Sequence, residues 1–375
     1  MIEPGRVVAH LASLGVDMYT GVPDSLLKEF GKLVMAELPR EQHIIAANEG
    51  SSVGIALGHY LRTSRPALVY LQNSGFGNTV NPLLSLADPD VYGVPMILLV
   101  GWRGQPGVKD EPQHVKQGRV MTALLDAMEL PWTVLPHDTE QAEACLTEAV
   151  ERATSGSTPY VILVEKDTFA PAEVASASGQ ESELASREDA LKTLATVVGE
   201  DVVIVSTTGM LSRELFEHRE SAGEGGARDF LTVGGMGHAT SIALGVAKQE
   251  HEREVWCFDG DGALLMHLGT LAVIGDHAPT NYLHVVFNNG VHDSVGGQPT
   301  SIEVVDIPAA ALAAGYRHAE TVSDLTEVGH AIERLRRAGG PALLELRVRP
   351  GNRAGIGRPT RTPAESKQAF MDAVR

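Results

Sequence analysis

An α/β protein made of two open, parallel-sheet domains is predicted by three features of the 375 residues. Short apolar runs alternate with amphipathic stretches, the runs are unbroken, and the rhythm stops once. The runs at 17–20, 43–46, 67–71, 96–100 and 160–164 are continuous rather than alternating, which suits strands covered on both faces. Between them, 24–38 and 49–62 carry helical periodicity. The stretch 169–187 is rich in Ala, Ser, Glu and Pro, lacks apolar periodicity, and reads as an exposed linker. A second series follows at 202–205, 230–233, 255–258, 284–287 and 342–348. The expected domains are therefore 1–168 and 188–375.

Composition narrows the classes of function. Hydrophobic residues make up 43% and charged residues 21%, enough apolar side chain for real cores, so disorder is excluded as the main theme. Lys and Arg number 30 against 48 Asp and Glu, a net charge of −18 that argues against nucleic-acid binding. An anionic small substrate remains compatible, because a few local cations outweigh distant charge beyond a Debye length. The two cysteines, Cys145 and Cys257, are too few for a disulfide framework or zinc cluster, and a cytoplasmic location is expected. The first residues, MIEPGRVVAH, lack the apolar core of a signal peptide. The longest apolar run, 94–100, contains Pro95 and is too short for a membrane span.

The densest chemical signal lies in the second half. The strand at 255–258 runs into Asp259-Gly260-Asp261-Gly262, and the next apolar strand ends in Asn288-Asn289-Gly290. At the carboxyl ends of adjacent parallel strands, Asp261 and an asparagine side chain converge on one point. Hard oxygen donors of this kind suit Mg²⁺, and the glycines let backbone N–H groups approach a diphosphate, with a helix starting near Ala263. A competing reading takes Gly235-Met236-Gly237-His238-Ala239-Thr240 as a dinucleotide-binding turn with Asp259 as the ribose acid, which predicts an NAD-dependent dehydrogenase. Its third glycine is replaced by Thr240, and it leaves the two asparagines without a task. In the first half, Glu49 stands between an apolar strand and a helix of small residues, as a cap or as a functional acid. There is no GxxxxGK[ST] loop, no GxSxG elbow, and His251-Glu252-Arg253-Glu254 lacks the second histidine of a zinc helix.

Taken together, the run from Asn48 to Thr63, Gly21-Val22-Pro23-Asp24-Ser25, Asn73-Ser74-Gly75-Phe76-Gly77-Asn78 and the two glycine-flanked strand ends resemble the thiamine diphosphate-dependent 2-oxo-acid decarboxylases. The resemblance covers nearly the whole chain but omits the middle domain of the larger members. Residues 21–30, 72–78, 110–119, 288–300 and 351–360 are similar to the branch of phosphonopyruvate decarboxylases, with sulfopyruvate decarboxylases nearby.

The resemblance implies a pyrimidine-binding domain followed by a diphosphate-binding domain. It also implies release of CO₂ from a small anionic 2-oxo acid, 3-phosphonopyruvate, through an enamine to phosphonoacetaldehyde. Glu49 takes the place of the acid that contacts the aminopyrimidine ring. Asp261, Asn289 and the Val291 carbonyl take those of the Mg²⁺ ligands, with Asn288 as substitute, and Met236 that of the wedge that bends the cofactor. Asn73, Gly209, Gly235, Gly260, Gly262 and Ala263 fall at cofactor-binding positions. His114 and His292 are the candidate proton carriers; simple pyruvate decarboxylases carry a glutamate near the place of Val295, and Asp293 or His292 is the candidate to take over its task. Asp24, Ser25, His114 and Arg353 are the substrate-binding candidates, with Arg103, Lys109 and Lys116 as further cations for the phosphonate. The family pattern also implies self-association, as a dimer or dimer of dimers with active sites at subunit interfaces, while the acidic charge and the short apolar runs predict no nucleic-acid or membrane partner.

Overall fold

The computed structural model describes residues 1–174 and 183–375. The chain divides into two compact units, Met1–Ala177 and Ser178–Arg375. In the first, strands β1 (Tyr19–Gly21), β2 (His43–Ile45), β3 (Ala67–Gln72), β4 (Met96–Gly101), β5 (Trp132–Val134) and β6 (Pro159–Val164) form one sheet in the order β2-β1-β3-β4-β6-β5. Every pairing is parallel. The central strands are apolar throughout because each face has its own core. Leu68, Tyr70, Ile97 and Leu99 belong to one cluster, and Val69, Leu71, Met96, Leu98 and Val100 to another. Burying one such side chain contributes about 1.5–3 kcal/mol, which ties the register of the sheet to this alternation.

The second unit repeats the plan. Strands β7 (Val203–Ser206), β8 (Asp229–Leu231), β9 (Val255–Gly260), β10 (Tyr282–Asn288), a small antiparallel ribbon of β11 (Val291–His292) and β12 (Gln298–Pro299), β13 (His318–Val322) and β14 (Ala342–Arg347) follow in sequence. The main sheet has the order β13-β14-β10-β9-β7-β8 and is parallel throughout. Trp256, Phe258, Leu283 and Val285 pack on one face, and Val255, Cys257, Tyr282 and Val286 on the other. The two-domain α/β plan expected from the sequence is the plan observed, with no middle domain between the two sheets.

Besides the ribbon of β11 and β12, the two main-sheet strands absent from the expected set, β5 and β13, are both at sheet edges. Their sequences, WTV and HAETV, are short or polar because an edge strand is covered on fewer sides. The expected helix at 24–38 begins only at Lys28, since the Asp24 carboxylate accepts the Leu26 and Leu27 N–H groups and holds a turn ahead of it. Of the stretch 169–187, Phe169 packs in the first unit's core and the Ala172 N–H donates to Glu29. Ser186 caps the helix Arg187–Val198, and residues 175–182 lie outside the described residues. Among the described residues no helix is long and apolar enough to cross a membrane.

Candidate active site

In the second unit, the loops after β7, β8, β9 and β10 carry the candidates. Between β7 and β9, whose connections leave in opposite directions, lies the topological switch point where open α/β sheets bind ligands. Asp261 opens the helix Asp261–Met266 directly after β9 and is only 3% exposed. Burial pushes its carboxyl up to about 6, against the pull of the Thr300 hydroxyl and the backbone N–H groups of Gly262 and Asn289. Thr300 Oγ1 donates to Oδ2 at 2.5 Å. Thr300 arrives there because the ribbon of β11 and β12 turns back, with its own N–H on the Gly290 carbonyl at 2.8 Å.

The two asparagines separate cleanly. Asn288 ends β10, is 2% exposed, and its amide donates to Glu345 of β14 at 2.6 Å. Its oxygen accepts from the Gly290 N–H. That side chain is committed to the sheet, so the substitute ligand suggested by the sequence does not face the Asp261 turn. Asn289 is the half-buried member, and its backbone N–H reaches Asp261. Its amide nitrogen donates to Asp293 at 2.6 Å, while its oxygen accepts from Val291 N–H at 3.1 Å.

Met236, Gly262 and His292 meet at one place. A Cβ at Gly262 would stand 2.9 Å from His292 Cε1 and 3.3 Å from Met236 Cε, so only glycine fits beneath them. Gly235 and Gly237 flank the methionine with φ of +69° and +85°, a left-handed backbone that favours glycine. Gly209, at φ +104°, caps the helix Met210–Ala222 after β7, and Gly260 and Ala263 bracket the Asp261 turn. Burial pushes the His292 imidazole down to about 4, so it is neutral near pH 7. Asp293 is not a free proton carrier. It accepts from Asn289, Arg187 and the Gly351 N–H.

Arg353 is exposed, and its guanidinium is held by Glu188 at 3.1 Å and by Glu217. It lines a surface cavity of about 670 Å³ with Glu188, Glu214, Glu217 and His218. Two carboxylates already neutralise it, which removes the free forked cation that a substrate anion needs. The dinucleotide reading fails on similar grounds. Asp259 is 0% exposed, and its Oδ1 accepts from the next N–H, Gly260, so no ribose hydroxyl can reach it.

In the first unit, Glu49 is the first residue of the helix Glu49–Thr63, set by Asn48, whose side chain accepts the Gly50 N–H at 2.8 Å. The carboxylate is 5% exposed, and burial raises its pKa above the usual carboxylate range. Asn78 donates to Oε2 at 2.8 Å, and Oε1 lies against Gly75, where any Cβ would overlap it. The segment Asn73–Asn78 therefore acts as a cradle for this one acid.

The same segment reaches the other candidates. Both ends of the Asn73 amide are engaged by the Arg103 backbone, at 2.8 and 3.1 Å, so this side chain shapes the loop after β4 rather than facing a ligand. Arg103 forks onto Asp110 and donates to Ser25 Oγ at 2.8 Å. Asp24 is 2% exposed, its pKa raised by burial, and is held by Gln72 and the Leu26 and Leu27 N–H groups. His114 lies on the helix Pro112–Ala127, which approaches this loop closely: a Cβ at Gly104 would overlap the His114 carbonyl. The imidazole is buried, its Nδ1 has no hydrogen-bond partner, and burial followed by the Arg103 charge lowers its pKa. Asp24, Ser25, Asn73, Arg103 and His114 thus form one cluster, whereas Lys109 and Lys116 are exposed.

The residues fit the groups implied. Asp261 offers a buried carboxylate held by the neutral Thr300 hydroxyl and by backbone N–H groups, that of Asn289 among them, a hard oxygen donor suited to a hard cation. Glu49 offers a second buried carboxyl with a raised pKa, suited to sharing a proton with a ring nitrogen.

Comparison with known proteins identifies the family. Residues 6–130 match the N-terminal TPP binding domain of thiamine pyrophosphate enzymes, and residues 207–346 match the C-terminal TPP binding domain. The chain belongs to the thiamine pyrophosphate enzyme family. It is 37% identical to the phosphonopyruvate decarboxylase of Streptomyces viridochromogenes over 388 residues, covering 100% of this chain and 95% of that protein. It is 34% identical to the phosphonopyruvate decarboxylase of Streptomyces hygroscopicus, covering 99% and 94%. It is 27% identical to the sulfopyruvate decarboxylase of Methanosarcina acetivorans, covering 98% and 97%.

Sequence reasoning missed Thr300 as the partner of Asp261 and Asn78 as that of Glu49, and it did not connect Arg187 with Asp293. The double glycine Gly296-Gly297 between two short runs was the available sign of a returning ribbon. Nothing local marks the other pairings.

Proposed function

We propose that this chain decarboxylates 3-phosphonopyruvate to phosphonoacetaldehyde and CO₂, with thiamine diphosphate and Mg²⁺ bound. The observation that carries the reading is end-to-end likeness at 37% and 34% identity to two phosphonopyruvate decarboxylases. Bound thiamine diphosphate supplies the electron sink for the pair released when the carboxylate leaves.

The rest falls to the chain. Asp261, Asn289 and the Val291 carbonyl would hold Mg²⁺, and Gly260, Gly262 and Ala263 would give the diphosphate backbone access. Met236, over Gly262, would pack against the bound cofactor, and Gly209 and Gly235 would leave room beside it. Glu49 holds a proton against a pyrimidine nitrogen. Replacing carboxylate by hydrogen consumes one proton per turnover, and His114 and His292, whose pKa values burial lowers, are the candidates to supply it. Ser25 and His114 receive the phosphonate, with Arg103 behind Ser25. Arg353 is assigned to the surface. The chain works as a dimer or dimer of dimers, with active sites where copies meet.

Metal binding supplies a pH test. Asp261 has to be ionised to hold a cation, and its carboxyl sits at about 6. The apparent affinity for Mg²⁺, read from cofactor binding, should therefore fall about tenfold between pH 7 and pH 5. An affinity that stays flat across that interval contradicts the assignment.

The reaction itself is tested by phosphorus NMR of phosphonopyruvate incubated with the chain. Phosphonoacetaldehyde should appear only when both thiamine diphosphate and Mg²⁺ are present. Untouched phosphonopyruvate under those conditions, with sulfopyruvate consumed instead, would move the chain to the chemistry named for its Methanosarcina relative.

A further inference from the structure

An asparagine side chain binds a cation only through its oxygen, yet the two ends of the amide have nearly the same shape. The Asn289 backbone N–H reaches Asp261, and something has to decide which end of its side-chain amide would be offered to a cation bound there. Its nitrogen donates to Asp293 Oδ2 at 2.6 Å, and its oxygen accepts the Val291 N–H at 3.1 Å. An ionised carboxylate only accepts and a backbone N–H only donates. Turning the amide over would set oxygen against oxygen at Asp293 and N–H against N–H at Val291. The orientation is therefore imposed from both sides.

Asp293 is itself fixed by a buried ionic network. Arg187 Nη1 donates to its Oδ2 at 2.9 Å. The other two nitrogens of Arg187 fork onto Glu214, both at 2.9 Å. The Arg187, Glu214 and Asp293 side chains are 9%, 1% and 11% exposed. Asp293 also accepts the Gly351 N–H at 3.0 Å, which ties the network to the segment after β14.

We propose that Asp293, held by the Arg187–Glu214 pair, is a positioning residue that presents the Asn289 oxygen to Mg²⁺. The inference rests on the reading of Asn289 as a metal ligand. It gives Asp293 a task other than proton transfer, and it gives a function to Arg187 and Glu214, which belong to no part of the assigned site. Groups that orient a metal ligand from behind typically change metal affinity by 10–100-fold when removed.

The test is the Mg²⁺ concentration that half-saturates thiamine diphosphate binding, measured by equilibrium dialysis on the full chain. Asp293→Ala should raise it by about 10–100-fold, and excess Mg²⁺ should restore cofactor binding. Asp293→Asn keeps one acceptor oxygen for three donors, so it should shift the value in the same direction by less, and it serves should the alanine variant not fold. Asn289→Ala should weaken Mg²⁺ binding at least as much. In that background Asp293→Ala should add less than about twofold, because its effect travels through Asn289. Two outcomes overturn the proposal while leaving Asn289 a ligand: Mg²⁺ dependence unchanged in both Asp293 variants, or an Asp293→Ala effect of full size in the Asn289→Ala background. No effect of Asn289→Ala on Mg²⁺ binding would remove the ligand assignment, and the inference with it.

Discussion

Glu49→Gln will bind thiamine diphosphate and Mg²⁺ within a few-fold of the unsubstituted chain, yet turn over about 10²–10⁴ times more slowly. The substitution keeps the size of the side chain, and the Asn78 donor still finds an oxygen. What disappears is the titratable proton. Burial raises the Glu49 pKa, so proton exchange with a ring nitrogen costs little there, whereas an amide cannot take part. The checks are cofactor binding by dialysis and the rate of CO₂ release, measured on one preparation. Turnover close to that of the unsubstituted chain would leave Glu49 as nothing more than the first residue of its helix.

Asp261→Ala will lose metal and cofactor binding together, and the cofactor-free protein will melt no lower than the unsubstituted chain. The second half follows from the sign of the shift. Burial pushes the folded carboxyl up to about 6 from its ordinary 3.8, so between those values the folded state holds more protons than the unfolded one. Stability therefore falls as pH rises through that window, and at pH 7 the ionised group costs the empty fold about 3 kcal/mol. A bound cation removes that cost. Removing the carboxylate does so too, less the loss of the Thr300 hydrogen bond. Calorimetry with and without cofactor and Mg²⁺ separates the contributions. Tight cofactor binding by the alanine variant, or a large drop in the melting point of the empty protein, would contradict the assignment.

Both acids were legible in the sequence for one physical reason. Each follows an unbroken apolar run, and each sits among glycines that a buried carboxylate or a close backbone requires. Gly75 makes room for Glu49, and Gly262 lies under Met236 and His292. The parallel sheets were legible because strands covered on both faces leave continuous apolar runs. The edge strands β5 and β13 were not, since partial cover relaxes that demand.

The partners of the acids stayed hidden because they come from distant stretches brought together only by folding. Thr300 reaches Asp261 through a ribbon turn, Asn78 reaches Glu49 through a loop, and Glu345 captures Asn288 across neighbouring strands. Arg353 shows the converse. Its residue type suggested an anion clamp, but Glu188 and Glu217, far away in sequence, had already taken its charge.

The most direct test compares kcat/KM for CO₂ release from phosphonopyruvate, sulfopyruvate and pyruvate, each with saturating thiamine diphosphate and Mg²⁺. The three substrates share the reacting 2-oxo acid and differ in the head group. Phosphonopyruvate should exceed both others by about tenfold or more, the discrimination expected where buried polar groups pair with a matching substrate. Equal rates for all three, or a preference for sulfopyruvate, would contradict it.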